Sequence, residues 1–354
     1  MIKKKCFEKN WIINKHKELK ADPLLIEKAI YAFELLGSLV ANGVDLIFKG
    51  GTGLILLLPE IKRLSMDIDI VSKTKEEDLL KSINKIITEG VFNRWEEDIR
   101  IFNRKIDKKH YKFYYDSIIE NRQSYILLDI VSTDYSFIST TVKLVNIPLF
   151  EIENEVKVRI PTVNSYIADK LTAFAPRTIG IPFGKNKSME IIKQLYDLDS
   201  LFTKIDNLSE IDKVYRRVAQ SEASYRDLDN SIDSFLNDSI ETSFLISQLD
   251  FRKCIENSYT KELREGIKQI KSHIIGGKYS LLEAKESASR IACLASLILS
   301  RKISFDIKEL EFKEKDISKI REIELKNDFV ILNKLKPISS ESFYLWCIAT
   351  ELIE

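Results

Sequence analysis

The chain has 354 residues, of which 44% are hydrophobic and 31% are charged. This composition is typical of a folded globular protein and excludes disorder as the main state. The 55 Lys and Arg residues balance 54 Asp and Glu residues, and the resulting net charge of +1 creates no global field toward nucleic acid or anionic membranes. Any such binding must therefore use a local patch.

The cysteines and the apolar segments bear on the cellular compartment. The four cysteines, at positions 6, 254, 293 and 347, lack the CxxC spacing of a zinc knuckle and do not indicate a disulfide framework. No apolar run reaches the roughly 18 residues of a membrane helix, and the basic start at residues 1–6 has no apolar run behind it. We expect a protein of the reducing cytoplasm that is neither exported nor inserted into a membrane.

The first half of the chain predicts a mixed α/β architecture. Most of the 11 glycines and seven prolines lie at or before Gly184, and short runs of β-branched and aromatic residues alternate there with helical patterns. The predicted strands are residues 46–48, 66–71, 111–115, 125–131 and 141–147.

The second half predicts a helical bundle. Apolar residues recur there at spacings of three and four with few breakers, most clearly over 188–202 and 281–299. Ser280 and Glu283 have the spacing of a capping box and mark a helix start. We therefore expect an α/β domain over residues 1–160 and a helical domain over residues 161–354.

The most informative stretch couples a glycine turn to two carboxylates. Phe-Lys-Gly-Gly-Thr-Gly-Leu at 48–54 follows a predicted buried strand, and a short helix at 54–58 would present backbone N–H groups that can hold a phosphate. Asp67 and Asp69 lie two residues apart in the next predicted strand, so they point to the same face. Two carboxylates this close repel each other unless a cation neutralises them, which predicts a Mg²⁺ site.

Each of these features also has an ordinary structural explanation. A Gly-Gly turn is common, and an Asp-x-Asp pair is often the solvent face of an edge strand. Their occurrence in this order, with Ser65 two residues before the first aspartate, favours a functional site. Asp129, in an apolar strand, is costly to bury unless paired or bound to metal, so it is either a third site carboxylate or a hydrogen-bonded structural residue.

The spacing of these residues resembles a known family. Gly-Gly-Thr, a spacer and then Arg-x-Ser-x-Asp-Ile-Asp resemble the first motif of the AbiEii family, nucleotidyltransferase-like toxins of bacterial abortive-infection and toxin–antitoxin systems. That family belongs to the DNA polymerase β-like nucleotidyltransferase superfamily. Its second motif is matched by Lys170 in Asp-Lys-Leu at 169–171 and by Asp197 in Lys-Gln-Leu-Tyr-Asp-Leu at 193–198. Gln194 stands where the family usually has its first aspartate.

Arg177 matches a frequent arginine of the family, although Pro176 predicts that the preceding helix ends or kinks before it. Asp197 and Lys193 also have the spacing of an exposed ion pair on one helix, which is the alternative explanation for that motif.

The resemblance implies a polymerase β-like mixed sheet with helices, followed by a helical C-terminal bundle. It also implies transfer from a nucleoside triphosphate with Mg²⁺ or Mn²⁺, in which Asp197 either positions Lys170 or accepts a proton. The implied catalytic residues are Asp67, Asp69, Lys170 and Asp197. The implied nucleotide-binding residues are Gly50, Gly51, Thr52, Ser65, Lys170 and Arg177. The implied metal ligands are Asp67, Asp69 and Asp129.

The implied acceptor is RNA, at the tRNA 3′ end in some relatives, with growth arrest in phage defence as the outcome and an antitoxin encoded nearby that need not touch the toxin. Basic residues mixed with aromatic residues over 100–111, and Lys185 with Lys187, suit an RNA backbone, although an AT-biased genome also produces lysine-rich surfaces. The alternatives are a small-molecule nucleotidyltransferase and a non-catalytic nucleotide- or partner-binding relative. The three histidines lack metal-ligand spacing, so we expect no histidine-based metal chemistry.

Overall fold

The computed structural model describes residues 1–99, 108–132, 138–229, 231–313 and 316–353. The chain divides into two compact units. The first unit comprises Met1–Thr162 with Ser272–Lys278, and the second comprises Val163–Lys271 with Tyr279–Glu354.

A mixed sheet of seven strands, counted over the described residues, forms the centre of the first unit. The strands are β1 (Leu46–Lys49), β2 (Ile68–Ser72), β3 (Arg94–Glu97), β4 (Lys108–Ser117), β5 (Arg122–Val131), β6 (Thr140–Leu144) and β7 (Lys157–Pro161). Their order across the sheet is β3-β4-β5-β2-β1-β7-β6. Two neighbouring pairs, β2 with β5 and β1 with β7, are parallel, and the other pairs are antiparallel. The predicted mixed α/β architecture is therefore confirmed.

The helices of the first unit are α1 (Lys9–Leu19), α2 (Pro23–Ala41), α3 (Gly50–Leu57) and α4 (Glu76–Glu89). Asp22 caps the start of α2, since its Oδ1 accepts a hydrogen bond from the backbone N–H of Leu24. Pro23 occupies the first helical position. Side chains on β4 and β5 alternate between two faces of the sheet. On the buried face, Tyr115 stacks against Tyr31 of α2 with ring centroids 3.7 Å apart.

The second unit is helical, which confirms the predicted C-terminal bundle. Its helices are α5 (Val163–Ala173), α6 (Ser188–Phe202), α7 (Leu208–Tyr225), α8 (Ile232–Gln248), α9 (Ser258–Gln269), α10 (Leu281–Leu299), α11 (Asp316–Ile320) and α12 (Ser340–Ile353). The capping box of Ser280 and Glu283 begins α10, as predicted. Gly266 of α9 lies so close to α6 that an added Cβ would stand 2.3 Å from the Ser188 carbonyl oxygen. None of the helices in the described ranges is long and apolar enough to cross a membrane.

Candidate functional site

The glycine turn and the second predicted acid meet directly in the first unit. Gly50 begins α3 with φ +73°, and a Cβ added there would lie 2.0 Å from Oδ2 of Asp69. Only glycine allows this approach, because a side chain would be strained at that φ and would collide with the carboxylate. The helix predicted over 54–58 starts earlier than expected. Gly50 begins α3, although glycine disfavours helices, because the carboxylate of Asp69 leaves no room there for a side chain.

Gly51 makes a similar opening for two polar side chains. A Cβ added at Gly51 would lie 2.5 Å from Nη2 of Arg63 and 3.0 Å from Oγ of Ser65. The predicted site residues Gly50, Gly51 and Ser65 are thus brought together at the start of α3. Arg63 was not predicted to be a site residue, although it occupies the arginine position of the first motif. A hydroxyl, a guanidinium and backbone N–H groups at a helix N-terminus are suited to phosphate oxygens.

The segment that carries Arg63 is held by residues from far along the chain. The backbone N–H of Leu64 donates to the carbonyl of His273 at 2.8 Å, and that of Ile275 donates to Lys62 at 3.1 Å. This explains why residues 272–278 belong to the first unit. Nothing in the local sequence pattern predicts this return of the chain.

Thr52 connects the first turn of α3 to Asp67. Its side chain is fully buried, and its hydroxyl donates a hydrogen bond of 2.6 Å to the carbonyl oxygen of Asp67. Thr52 thus ties α3 to the residue that precedes β2. Its nucleotide-binding role stays a prediction.

Two of the three predicted acids lie within β2 and β5, and the third lies just before β2. Asp69 and Asp129 are half-buried register partners on these parallel strands, so their side chains leave the same face of the sheet. Asp67 is exposed and precedes Ile68, the first residue of β2, by one position. The predicted start of this strand at residue 66 is therefore wrong, and the strand alternation applies to Asp69 and not to Asp67. Among the described residues, no cluster of three or more His, Cys, Asp or Glu side chains is assembled that could hold a metal ion.

Asp129 has a hydrogen-bond partner that the sequence analysis missed. Nδ1 of His110 lies 2.7 Å from Oδ1 of Asp129, and the two residues are register partners on β4 and β5. The His110 side chain is 8% exposed and that of Asp129 is 25% exposed. Asp129 is thus hydrogen-bonded and is the register partner of Asp69, and its role as a third site carboxylate stays a prediction. The pairing depends on strand register, which the isolated histidine could not reveal.

In the second unit, the predicted residues Lys170 and Asp197 form a buried ion pair. Nζ of Lys170 donates to Oδ2 of Asp197 at 2.6 Å, and the side chains are 4% and 1% exposed. The alternative of an exposed pair between Lys193 and Asp197 is therefore wrong, because Asp197 is directed into the core of this unit. Nζ of Lys170 also lies 3.4 Å from Oε1 of Gln194. The residue that replaces the usual aspartate thus contacts the same lysine as a neutral acceptor.

Arg177 follows the end of α5 in the second unit. The helix ends at Ala173, before Pro176, as predicted. The backbone N–H of Arg177 donates to Oδ2 of Asp238 at 2.8 Å, and its guanidinium pairs with Glu241 and lies 5.0 Å from the ring centroid of Tyr259. The nucleotide-binding role of Arg177 stays a prediction.

The predicted basic patches are only partly described. Residues 100–107, with Arg100, Arg104 and Lys105, lie outside the described ranges. Lys109 pairs with Glu76. Lys185 and Lys187 are both exposed in the second unit.

Comparison with known proteins places these motifs in a family. Residues 35–282 match the model of the AbiEii nucleotidyl transferase toxins of type IV toxin–antitoxin systems. This span includes the glycine motif, the acids and the lysine–aspartate motif. No curated protein sequence matches this chain.

Several solved structures are similar to this chain at low sequence identity. JHP933 from Helicobacter pylori is 17% identical over 78% of this chain and 94% of that chain, with a TM-score of 0.45. A second H. pylori chain, provisionally described as a nucleotidyltransferase, is 17% identical over 82% of this chain and 98% of that chain, with a TM-score of 0.43. An antigenic nucleotidyltransferase-like protein from Paracoccidioides brasiliensis is 13% identical over 57% of this chain and 91% of that chain, with a TM-score of 0.37.

Proposed function

Since the chain belongs to the AbiEii family of nucleotidyltransferase toxins of type IV toxin–antitoxin systems, we propose that it transfers a nucleotide from a nucleoside triphosphate to RNA, at the tRNA 3′ end. In this reaction an acceptor hydroxyl attacks the α-phosphorus and pyrophosphate leaves. The observation that carries the proposal is the placement of Asp69 against Gly50 at the start of α3, with Asp129 beside it on the same sheet face. It combines a phosphate-binding turn and two acids in one unit.

The start of α3 supplies what a triphosphate needs. Its first backbone N–H groups point out of the helix and favour negative charge. The lack of a side chain at Gly51 leaves room for Ser65 and Arg63, which add a hydroxyl and a cation at the same place. Thr52 anchors this turn to Asp67. These residues would hold and orient the triphosphate relative to the acids.

The carboxylates suit a divalent cation. Mg²⁺ takes oxygen ligands and is commonly held by one or two carboxylates together with substrate phosphates and water. Asp69 and Asp129 provide two neighbouring carboxylates, and exposed Asp67, one residue before β2, would become a third ligand by turning toward them. When bound, Mg²⁺ or Mn²⁺ would neutralise charge on the reacting phosphate oxygens. His110 engages Oδ1 of Asp129 in a hydrogen bond, which restricts the orientation of that carboxylate.

Asp197 is best assigned as a positioning residue. Its carboxylate fixes the Lys170 ammonium at 2.6 Å within the second unit, and both side chains are shielded from water. This supports positioning over proton acceptance, because Oδ2 of the carboxylate already accepts a hydrogen bond from the ammonium. The binding of triphosphate by Lys170 rests on the family match.

The biological setting follows the family. We propose that the protein arrests growth in phage defence, and that an antitoxin encoded nearby restrains it without needing direct contact. All four cysteines are free thiols, which supports a reducing cytoplasmic location.

The decisive experiment is a transfer assay. The purified protein is incubated with Mg²⁺, total tRNA and each α-labelled nucleoside triphosphate in turn, and the RNA is separated on a denaturing gel. We expect label on tRNA with the native chain and with Glu77→Ala, which removes an exposed carboxylate on α4, and none with Asp67→Ala. Equal labelling by Asp67→Ala would contradict the catalytic role of the acids. Absence of label on RNA from all four nucleotides would favour a small-molecule acceptor or a non-catalytic relative.

A further inference from the structure

The sheet face that carries the acids continues along β5 to an aromatic and cationic surface. Asp129, Leu127 and Tyr125 alternate with the buried residues of β5, so the three side chains share one face. Asp129 and Tyr125 are four residues apart, or about 13 Å along the strand. The surface therefore lies within a few nucleotides of the acids, on the same unit.

Three planar groups form the centre of this surface, which we call the stacking platform: Tyr125 on β5, Tyr114 on β4 and Arg94 on β3. Tyr125 is 44% exposed and is the register partner of Tyr114, with ring centroids 5.7 Å apart. Arg94 is the next register partner, and its Cζ lies 3.5 Å from the ring centroid of Tyr114. The ring of Tyr114 thus lies between the exposed ring of Tyr125 and the guanidinium plane of Arg94.

Hydrogen bonds fix the guanidinium in place before any ligand arrives. Arg94 donates to Glu96 at 2.9 Å and to Gln123 at 3.1 Å, and Tyr114 donates its hydroxyl to Glu96. A group immobilised in advance loses less conformational entropy when it binds a partner.

Cations surround the ring of Tyr125. Nζ of Lys112 lies 5.5 Å and Nζ of Lys28 lies 5.9 Å from its centroid. Lys112 is paired with Asp98 at 2.8 Å, whereas Lys28 has no ion-pair partner among the described residues. The Arg122 side chain at the start of β5 is 73% exposed and pairs with Glu120 at 2.7 Å. At the rim of the stacking platform, Lys28 can therefore meet a backbone phosphate directly, and Arg122 can do so by exchanging its exposed contact with Glu120.

We propose that the stacking platform binds unpaired bases of the RNA acceptor next to its reacting end. This inference rests on the proposed function and assigns to it a binding surface for single-stranded nucleic acid. Bases stack on tyrosine rings and on arginine planes, and lysines beside them meet the phosphates. A duplex hides the faces of its bases and cannot use the platform in this way. A protein partner would favour a larger continuous apolar area than one tyrosine ringed by charges.

The test is direct binding in the absence of nucleoside triphosphate. Fluorescence anisotropy is measured with a labelled single-stranded RNA of about eight nucleotides, a length within the site size of single-strand binding proteins, and with a duplex of the same sequence. We expect the full chain to prefer the single strand. We expect Tyr125→Ala to weaken that binding about fivefold or more, the lower end for the loss of one base–aromatic stack.

Two variants control for general effects. Tyr125→Phe keeps the ring and should bind like the native chain. Val142→Ala removes a side chain that is 58% exposed on β6 and should also leave binding unchanged. Because Tyr125 is exposed, the melting temperature of Tyr125→Ala should match that of the native chain, which confirms that the variant folds.

Equal binding of single-stranded RNA by Tyr125→Ala and the native chain would overturn the proposal, as would tighter binding of the duplex. Loss of antitoxin binding in Tyr125→Ala with unchanged RNA binding would assign the surface to a protein partner and also overturn it. Binding that depends on Tyr125 in a protein that transfers no label to RNA would contradict the proposed function while supporting the stacking platform. The two ideas thus fail separately.

Discussion

The predicted acidic site residues of the two units differ in how their negative charge is compensated. In the first unit, Asp67 is exposed, and Asp69 and Asp129 are half-buried on the same face of the sheet. In the second unit, Asp197 is 1% exposed and pairs with Lys170 at 2.6 Å. A carboxylate that water still reaches can exchange that water for a ligand, whereas a buried one must be neutralised by the protein itself. The difference separates the acids that we propose take part in the reaction from a pair on which the fold also depends.

The largest effect should come from breaking the buried pair. Asp197→Ala leaves the Lys170 ammonium desolvated without its carboxylate, and we expect the free energy of unfolding to fall by about 3–5 kcal/mol. Urea unfolding followed by circular dichroism measures this change.

A double variant separates lost charge balance from lost packing. Replacing both members, as Lys170→Met with Asp197→Leu, removes the unpaired charge and should recover most of the stability. A loss below about 1 kcal/mol in Asp197→Ala would contradict the buried pair and place Asp197 with the exposed acids.

The next largest effect on stability should come from the close approach of Gly50 to Asp69. We expect Gly50→Ala to destabilise the chain by at least about 2 kcal/mol, since it combines a positive φ with a collision against Asp69. Gly43 is the matched control, because its φ is +81° and nothing lies within 4 Å of an added Cβ. Gly43→Ala should cost about 1 kcal/mol, the strain alone. Equal costs for the two variants would show that Asp69 moves away from the turn freely.

How far the sequence predicts the fold depends on whether a signal is local. The bounds of α6 and α10 agree with their apolar spacing and capping residues, which act within a few residues. β3 was missed because its sequence, Arg-Trp-Glu-Glu, is charged and its pairing with β4 supplies what the pattern lacks. β7 was missed because its alternation of exposed and buried residues spans only Lys157–Pro161, which is too short to stand out in the sequence.

The candidate site shows the same limit. The motif spacing identified Gly50, Gly51 and Asp69, which the structure brings together. His110 joins the site only through the register of β4 with β5. The alternative of an exposed pair between Asp197 and Lys193 stayed open in the sequence, because helix periodicity alone does not reveal a lysine arriving from α5.

Lys285 is a second buried lysine of the second unit, and its partners differ in kind from the carboxylate that pairs with Lys170. Its Nζ donates to the carbonyl oxygens of Ser247 at 2.8 Å and Leu249 at 2.5 Å and lies 3.5 Å from the ring centroid of Phe251. Burial lowers the pKa of Lys285 from 10.5 to about 8. Carbonyl dipoles and a ring compensate the desolvated charge less completely than the carboxylate that faces Lys170.

The sign of the pH effect follows from this pKa. Below pH 8 the lysine is protonated in both the folded and the unfolded chain, and between pH 8 and 10.5 the folded chain releases its proton first. The contribution of Lys285 to stability therefore rises with pH through this window. Relative to that of Lys285→Met, the free energy of unfolding of the native chain should rise by about 1–3 kcal/mol across this window, because one pKa unit corresponds to about 1.4 kcal/mol. Urea unfolding of both chains across the window checks this, and a constant difference would contradict the lowered pKa.

The smallest change in stability should accompany the largest loss of activity. Asp67 is exposed, so we expect Asp67→Ala to change the free energy of unfolding by no more than about 0.5 kcal/mol while nucleotide transfer is lost. Thr52 bonds to the backbone carbonyl of Asp67, which the substitution retains, so the turn should keep its position. Unfolding and transfer assays on the same preparation, with Glu77→Ala as the control, make the comparison. A variant destabilised as strongly as Asp197→Ala would mean that Asp67 supports the fold, and the contrast between the two units would no longer hold.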